Sequence, residues 1–352
     1  LGFDPQPASP AGEPTTHNPQ LLYVTPPTFR QFDVTIPEDI VEEVARIYGY
    51  NNLPNRLMAG EIPVTEKLPI LSLEKKIKHA LKYWGYTEIY NYSFISKDLI
   101  EKSLLKVNDH LKVANPLTSD IEYMRISLIP SMLETVAKNQ FYSDNLNLFE
   151  LAMVYQPKTK SLPDEISILT ISNQKDFYAL KGIVETLLKE FGVSDVLYNI
   201  PTESSEFEGT WSHFWHPRQT IVLTKNGINL GYIGKIHPTL AQNFQLKNDL
   251  YLAVLNVELI SKYAKSLKHF VPISQYPAVL EDLTLEFPPK SYLSPVIDEI
   301  YKMSTLVKNV EVLDRYQNSI TLRITYQDVE KNLEGEVVQK IRSQILQTLK
   351  GK

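Results

Sequence analysis

The sequence predicts an α+β protein, and three stretches carry that prediction. Near residue 33 a short strand runs into an amphipathic helix. From residue 72 a long helix, a glycine and an alternating apolar stretch follow one another. From residue 283 to the end the order is β-α-β-β-α. A length of 352 residues suits two or three domains.

Composition narrows the function classes. At 43% hydrophobic and 22% charged the chain has the make-up of a packed globular protein. No apolar run reaches the length of a membrane span, and no basic stretch leads into an apolar core as in a secretory signal. Cysteine is absent, which excludes disulfides, thiolate metal sites and a cysteine nucleophile, and fits a reducing cytoplasm. A formal net charge of −5 argues against a general nucleic-acid binder, so any RNA contact is expected to be local or shared with another subunit.

Residues 1–29 are rich in Pro, Ser, Thr and Gly and read as a loop with a short strand at Leu21–Val24. In Asp33–Pro54, Pro37 is tolerated in a first helical turn, where the N–H groups lack intrahelical partners. Ile40, Val44 and Ile47 then form an apolar stripe, while Asp39, Glu42 and Glu43 form an acidic one with Asp33 just upstream in the strand. Mutually repelling carboxylates suit a hard cation such as Mg²⁺ or Ca²⁺. On spacing alone the helix dipole and water explain acidic residues near a helix start better, because acidic first turns are common.

Residues 56–70 read as a linker. A helix over Ser72–Trp84 has Ile77, Ala80, Leu81 and Trp84 as its apolar stripe, Glu74–Lys78 as an i, i+4 ion pair, and Gly85 as its stop. Thr87–Ser96 alternates as a strand, with Tyr90, Tyr92 and Phe94 on one face. Asn145–Tyr155 is a second strand, in which the lone acid Glu150 implies an ion pair or an interface. Asp176–Gly192 is a helix with Leu180, Val184, Leu187 and Phe191 inward. His213, His216 and His237 have spacing that supports zinc only weakly, and His-Pro turns packed on aromatic rings explain them better. Gly231 and Gly234 do not make a phosphate loop. In the last unit the strands are Leu283–Phe287, Val310–Tyr316 and Ile320–Tyr326. One helix buries Leu293, Val296, Ile297 and Ile300, and a final helix, Gly335–Leu349, buries Val337, Ile341 and Ile345. This order is ferredoxin-like.

Three stretches resemble the beta-subunit family of phenylalanyl-tRNA synthetase, bacterial type, in the family's own order. Arg30, Asp33, Asp39, Glu42, Glu43, Ala45, Arg46, Ile47, Gly49, Tyr50 and Pro54 follow the pattern that ends its B5 domain, although two residues separate Arg30 from Asp33 where one is usual. Asn115, Pro116, Leu117, Asp120, Met124, Arg125, Ser127, Leu128 and Pro130 follow a segment of its class II synthetase-like core. Pro272, Ile273, Ser274, Tyr276, Pro277, Ala278, Val279, Asp282 and Leu283 follow the entry to its anticodon-binding domain.

The resemblance implies a partial B5 domain at 1–55, a catalytically silent antiparallel-sheet core of class II type at 71–265, and a ferredoxin-fold anticodon-binding domain at 268–352. It implies a Mg²⁺ site at Asp33, Asp39, Glu42 and Glu43, no catalytic residue in this chain, and an alpha subunit holding the active site. It further implies an (αβ)₂ tetramer that joins phenylalanine to tRNA-Phe with ATP in the cytoplasm, away from membranes. Because the core is a silent copy, Arg125 is expected to hold a buried carboxylate or an interface rather than ATP phosphate. Arg315, Arg323 and Lys331 are the candidate RNA cations, with Tyr316 and Tyr326 as stacking rings; taken singly, each reads better as a solvated charge or a core tyrosine. Glu281 stands where the family usually has Arg, and Lys331-Asn332-Leu333 where it has Arg-Thr-Leu, which predicts weakened RNA attraction. The alternative function is an assembly scaffold, a divergent paralogue that does not touch tRNA.

Overall fold

A computed structural model describes residues 2–7, 22–57, 59–62, 66, 68–143, 145–201, 212–265, 270, 272–288 and 291–350. Leu21, most of the 1–29 loop, part of the 56–70 linker, Trp211 and the expected domain start at Lys268 lie outside the described residues. The chain divides into two compact units, Leu1–Glu66 and Lys67–Lys352.

In the first unit, β1 (Asp4–Pro7) pairs antiparallel with β2 (Leu22–Thr25), and α1 spans Pro37–Tyr48. Asp33 is not in a strand. A 3₁₀ turn at Thr28–Arg30 continues into a tight turn, and both Asp33 and Val34 N–H groups donate to the Arg30 carbonyl. The predicted apolar stripe of α1 is left largely open, with Val44 62% and Ile47 65% exposed.

The second unit begins with α2 (Pro69–Tyr83), β3 (Thr87–Glu88), β4 (Phe94–Ile95), α3 (Lys97–Lys102), β5 (Tyr123–Met124) and α4 (Ile129–Asn139). Next come β6 (Leu148–Gln156), β7 (Asp164–Asn173), α5 (Phe177–Glu190), β8 (Leu197–Asn199), β9 (Trp215–Lys225) and β10 (Ile228–Ile236). α6 (Pro238–Asn243), β11 (Tyr251–Asn256) and α7 (Val257–Tyr263) complete this part. Among the described residues, seven strands form one sheet in the order β3-β6-β7-β11-β10-β9-β8, antiparallel except for β3 beside β6. Side chains alternate across it. Phe149, Leu151, Leu169 and Ile171 meet Ile77 and Leu81 of α2 and Leu180, Val184 and Leu187 of α5. Leu148 and Leu252 face the other way, toward Met132 and Leu133 of α4 and Trp215.

Several local expectations hold. Gly192 ends α5 with φ 69°, as expected, and Asp176, read as the first residue of the helix, is its cap, accepting the Ala179 N–H at 2.7 Å. Gly85, at φ 86°, closes α2. Others are corrected. Thr87–Ser96 is two short strands with an irregular link, because the Asn91 amide turns to the Glu150 carboxylate rather than to a neighbouring strand. Lys78 does not pair with Glu74; it reaches Glu88 at 2.6 Å, while Glu74 accepts from the Ser167 hydroxyl.

β10 carries the glycines. A Cβ on Gly231 would lie 2.1 Å from the Val254 carbonyl oxygen, and one on Gly234 would lie 2.5 Å from the Thr220 hydroxyl. Register shifts against β9 fall at Asn229/Gly231 and at Gly234/Ile236.

The chain ends with β12 (Val279–Glu286), α8 (Ser294–Met303), β13 (Val307–Tyr316), β14 (Ser319–Tyr326) and α9 (Gly335–Lys350). The sheet order β12-β14-β13 is antiparallel throughout, and its core contains Leu283, Leu285, Ile300, Leu322 and Ile324. This is the predicted β-α-β-β-α order. α9 buries Val338, Ile341 and Ile345, a single i, i+3, i+7 stripe, and leaves Val337 38% exposed, which corrects the expected Val337. Among the described residues no helix is long and apolar enough to cross a membrane.

Candidate functional site

Arg125 follows β5 and enters the face of the large sheet covered by α4. Its backbone N–H donates to Ser93 and its carbonyl accepts from Tyr155, so the residue is fixed before its side chain acts. The guanidinium Nη1 lies 2.8 Å from Glu150 Oε1, and both side chains are only 2% exposed. Nε donates to the Met153 carbonyl, and Nη1 also reaches the Asn91 and Tyr92 carbonyls. Glu150 accepts in turn from the Asn91 backbone N–H and from its side-chain amide at 2.8 Å. Buried charges are tolerated when they are paired and hydrogen-bonded in this way. The carboxylate partner expected for Arg125 is therefore Glu150.

On the same face lies a cavity of about 400 Å³ lined by Ile126, Val154, Ile168, Trp215, Tyr232 and their neighbours. Its polar side chains are Ser127, Gln156, Asn229 and Asn256, with the Tyr232 phenol, and among the described residues no Lys, Arg, His, Asp or Glu lines it. They are engaged locally: Gln156 donates to the Ile126 carbonyl, Asn229 to the Tyr232 hydroxyl, and Asn256 caps α7. Nucleotide phosphates need cations or a fan of free N–H groups. The described lining offers no cation, and Arg125 is turned to a carboxylate and to carbonyls.

His213, His216 and His237 are each engaged locally. His216 and His237 each accept a nearby backbone N–H through Nδ1, and the His213 ring packs against Phe214 at 4.3 Å between centroids. Burial, and next the charge of His237, hold the His213 imidazole below its ordinary pKa.

At α1 Asp33 and Glu43 share Arg30, while Asp39 and Glu42 stand apart from them. Asp33 Oδ2 lies 2.7 Å from Arg30 Nε. Glu43 binds Arg30 through Oε1 at 2.7 Å and Arg46 through Oε2 at 2.6 Å. Asp39 Oδ2 accepts the Thr35 and Ile36 N–H groups at 2.7 and 3.0 Å, which caps the helix start and holds its carboxyl below the usual range. Glu42 is exposed. Arg30, and after it Arg46, bring the Glu43 carboxyl down to about 2. Among the described residues no three His, Cys, Asp or Glu side chains are grouped to hold a metal ion. As placed, these acids do not fit a Mg²⁺ site.

In the small sheet the strand register sorts the five candidate RNA residues. Tyr326 points into the core and is fully buried; burial, then Glu281, pushes its phenol up to about 12. Its ring is closed to a base, which corrects the expected stacking role. Arg323 lies on the opposite, open face and makes a two-pronged bond to Asp282, both contacts 2.8 Å, with Glu311 as its other cross-strand neighbour. Asp314 and Glu286 share that face, so it carries more acid than base. Arg315 and Tyr316, before the β13–β14 turn, and Lys331, beyond β14, are exposed.

Comparison with known proteins agrees with this layout. The family model for the phenylalanyl tRNA synthetase beta chain CLM domain matches residues 53–257, more than half of the chain. The chain belongs to the phenylalanyl-tRNA synthetase beta-chain family. The tRNA synthetase B5 domain matches residues 7–50, and the ferredoxin-fold anticodon binding domain matches residues 274–352. The phenylalanine–tRNA ligase beta subunits of Clostridium acetobutylicum and Syntrophotalea carbinolica are 30% and 31% identical, each over 93% of this chain and 43% of their own length. The chain thus spans under half the length of these curated relatives. A solved pyrrolysyl-tRNA synthetase from Desulfitobacterium hafniense aligns at TM-score 0.44 and 15% identity, over 54% of this chain and 67% of its own. Within the beta-chain family the Arg125–Glu150 pair and the uncharged cavity lie in the CLM match, the α1 acids in the B5 match and Arg323 in the anticodon-binding match.

This geometry has two measurable consequences. Glu150→Leu leaves Arg125 buried without its counter-charge and should destabilise the second unit by about 3–5 kcal/mol, whereas Arg125→Met with Glu150→Leu recovers most of that stability; urea unfolding of the three variants measures both. Because the folded pKa of Glu43 is depressed, its contribution to stability is complete above about pH 4.5 and disappears as pH falls toward about 2. Carboxyl-carbon NMR should place its midpoint near 2 in the native chain, and nearer the usual glutamate range in Arg30→Ala.

Proposed function

We propose that this chain acts as the non-catalytic beta subunit in the ATP-dependent attachment of phenylalanine to tRNA-Phe. The observation that carries this reading is the Arg125–Glu150 pair beside an uncharged cavity. A sheet face that could have gripped a nucleotide instead holds Arg125 against its own carboxylate. The chemistry, and ATP as its substrate, then belong to an alpha subunit. An (αβ)₂ assembly in the cytoplasm completes the reading. Exposed Phe32, Val41, Val44 and Ile47 around α1 support a partner surface in the first unit, since apolar groups gathered at a surface mark interaction sites. The absence of cysteine supports a reducing compartment.

For tRNA, the reading rests on the exposed Arg315 and Lys331 and on Tyr316 at the turn end of the open sheet face, rather than on Arg323, which is tied to Asp282. Weak, local attraction is the expectation that goes with them.

Co-expression with the alpha subunit of the same genome, followed by native mass and tRNA-Phe charging, tests the proposal. An α₂β₂ mass with charging above that of alpha alone is expected. Assembly that leaves charging at the level of alpha alone would favour a scaffold, and a folded chain that does not assemble would refute the reading. In the assembled complex, Arg315→Ala with Lys331→Ala should lower tRNA affinity. It should also flatten the logarithmic salt dependence by roughly 0.7 for each phosphate no longer neutralised, measured by filter binding between low and moderate salt.

A further inference from the structure

The acids at the start of α1 already have a cation. The extra residue between Arg30 and Asp33 decides this. In a strand, residues three apart point to opposite faces. Here the segment is a turn, and the i, i+3 spacing puts the guanidinium and the carboxylate side by side at 2.7 Å. The same guanidinium reaches across to Glu43 at 2.7 Å, while Arg46 takes the second Glu43 oxygen at 2.6 Å. The Phe3 ring lies 5.9 Å from the Arg30 guanidinium carbon and adds a cation–π contact.

We propose that Arg30, with Arg46 beside it, is the resident cation of this acidic cluster and that the chain holds no Mg²⁺ there. Two guanidinium charges balance Asp33 and Glu43. Asp39 is turned to the backbone amides of the helix start, and Glu42 faces water. Mg²⁺ demands near-octahedral oxygen ligands and gives up its water reluctantly. To enter, it would have to displace a planar, two-point guanidinium bond, leave Arg30 without its partners and break the cap on α1. The exchange is unfavourable at each of these steps. The cluster lies wholly in the first unit, and its occupancy is independent of the function proposed for the whole assembly.

Isothermal titration of the full chain with MgCl₂, alongside melting curves in EDTA and in excess Mg²⁺, tests it. No saturable binding up to about 1 mM and no metal-dependent change in melting are expected, weaker than any dedicated oxygen site of this charge. Arg30→Ala frees Asp33 and one oxygen of Glu43, and should raise Mg²⁺ affinity by at least about tenfold, the scale on which neighbouring groups tune a metal site. Adding Glu43→Gln should abolish that gain. Sub-millimolar binding to the native chain that Glu43→Gln removes would overturn the proposal. So would an Arg30→Ala chain, folded by circular dichroism, with no gain in affinity. Should Arg30→Ala unfold, the Glu43 carboxyl-carbon signal of the native chain decides instead: it stays fixed on adding Mg²⁺ if Arg30 holds the site and moves if it does not.

Discussion

The large sheet depends on one buried pair of charges. Glu150 lies in β6 and Arg125 just after β5, and between them they tie the 91–93 link, the end of β5 and the Glu150–Met153 stretch of β6 into one network. Each member is tolerable in the interior only because the other is present. The same network explains why Thr87–Ser96 breaks as a strand: the Asn91 amide and side chain are directed at Glu150 instead of at a sheet neighbour. It also explains the character of the cavity nearby. With Arg125 and Glu150 joined to each other, what remains around the cavity is Trp215, Tyr232, aliphatic side chains and amides that bond locally. Packing turns Arg125 to its own carboxylate and to carbonyls, so among the described residues no cation faces this cavity.

Self-pairing recurs elsewhere in the chain. Glu43 is enclosed by Arg30 and Arg46, Asp282 by Arg323, and Glu281 by Arg342 of α9. In the small domain this reverses a simple view of an RNA-binding sheet. The open face presents Asp282, Glu311, Asp314 and Glu286 around a guanidinium that is already engaged, while exposed Arg315 and Tyr316 lie toward the β13–β14 turn. The departure at Glu281 is matched by a basic residue on the facing helix, so the helix-to-sheet contact keeps a charge pair in the small domain's packing.

Much of the fold was legible because periodicity reports burial directly. The stripe of α5, the glycine stops at Gly85 and Gly192, and the β-α-β-β-α order all follow from alternation and spacing, and the structure places them as read. What was not legible depends on which of two near-equivalent neighbours wins. Val337 and Val338 are adjacent, and only the rotation of α9 chooses Val338 for the core. Lys78 had Glu74 at helical spacing, but Glu88, distant by sequence rule and near in space, takes it. Tyr326 is a different case: it shares the period-two phase of Ile320, Leu322 and Ile324, so alternation already marked it as inward, and it lies buried opposite Val279. At the candidate sites, residue types were readable and their partners were not. Arg125 announced the need for a carboxylate without naming Glu150. The α1 acids announced the need for a cation, and the sequence contained it at Arg30, hidden by taking a turn for a strand.

The two glycines of β10 have a consequence for how this sheet can drift. Each marks a register shift against β9, and between the two shifts the strand keeps its own pairing. In a pleated strand a single slip exchanges every inward side chain for an outward one. The first shift adds one residue to β10, so Leu230 and Ile233, three apart, reach the same packed face. The second adds residues to β9 instead, and β10 alternates unbroken to Ile236 on the other face, while Gly231 and Gly234 absorb the close approach of Val254 and Thr220. The two shifts therefore act on different strands: loss of the first alone would turn the later residues of β10 to the opposite faces, whereas the second lets β9 accommodate its extra residues without disturbing how β10 faces.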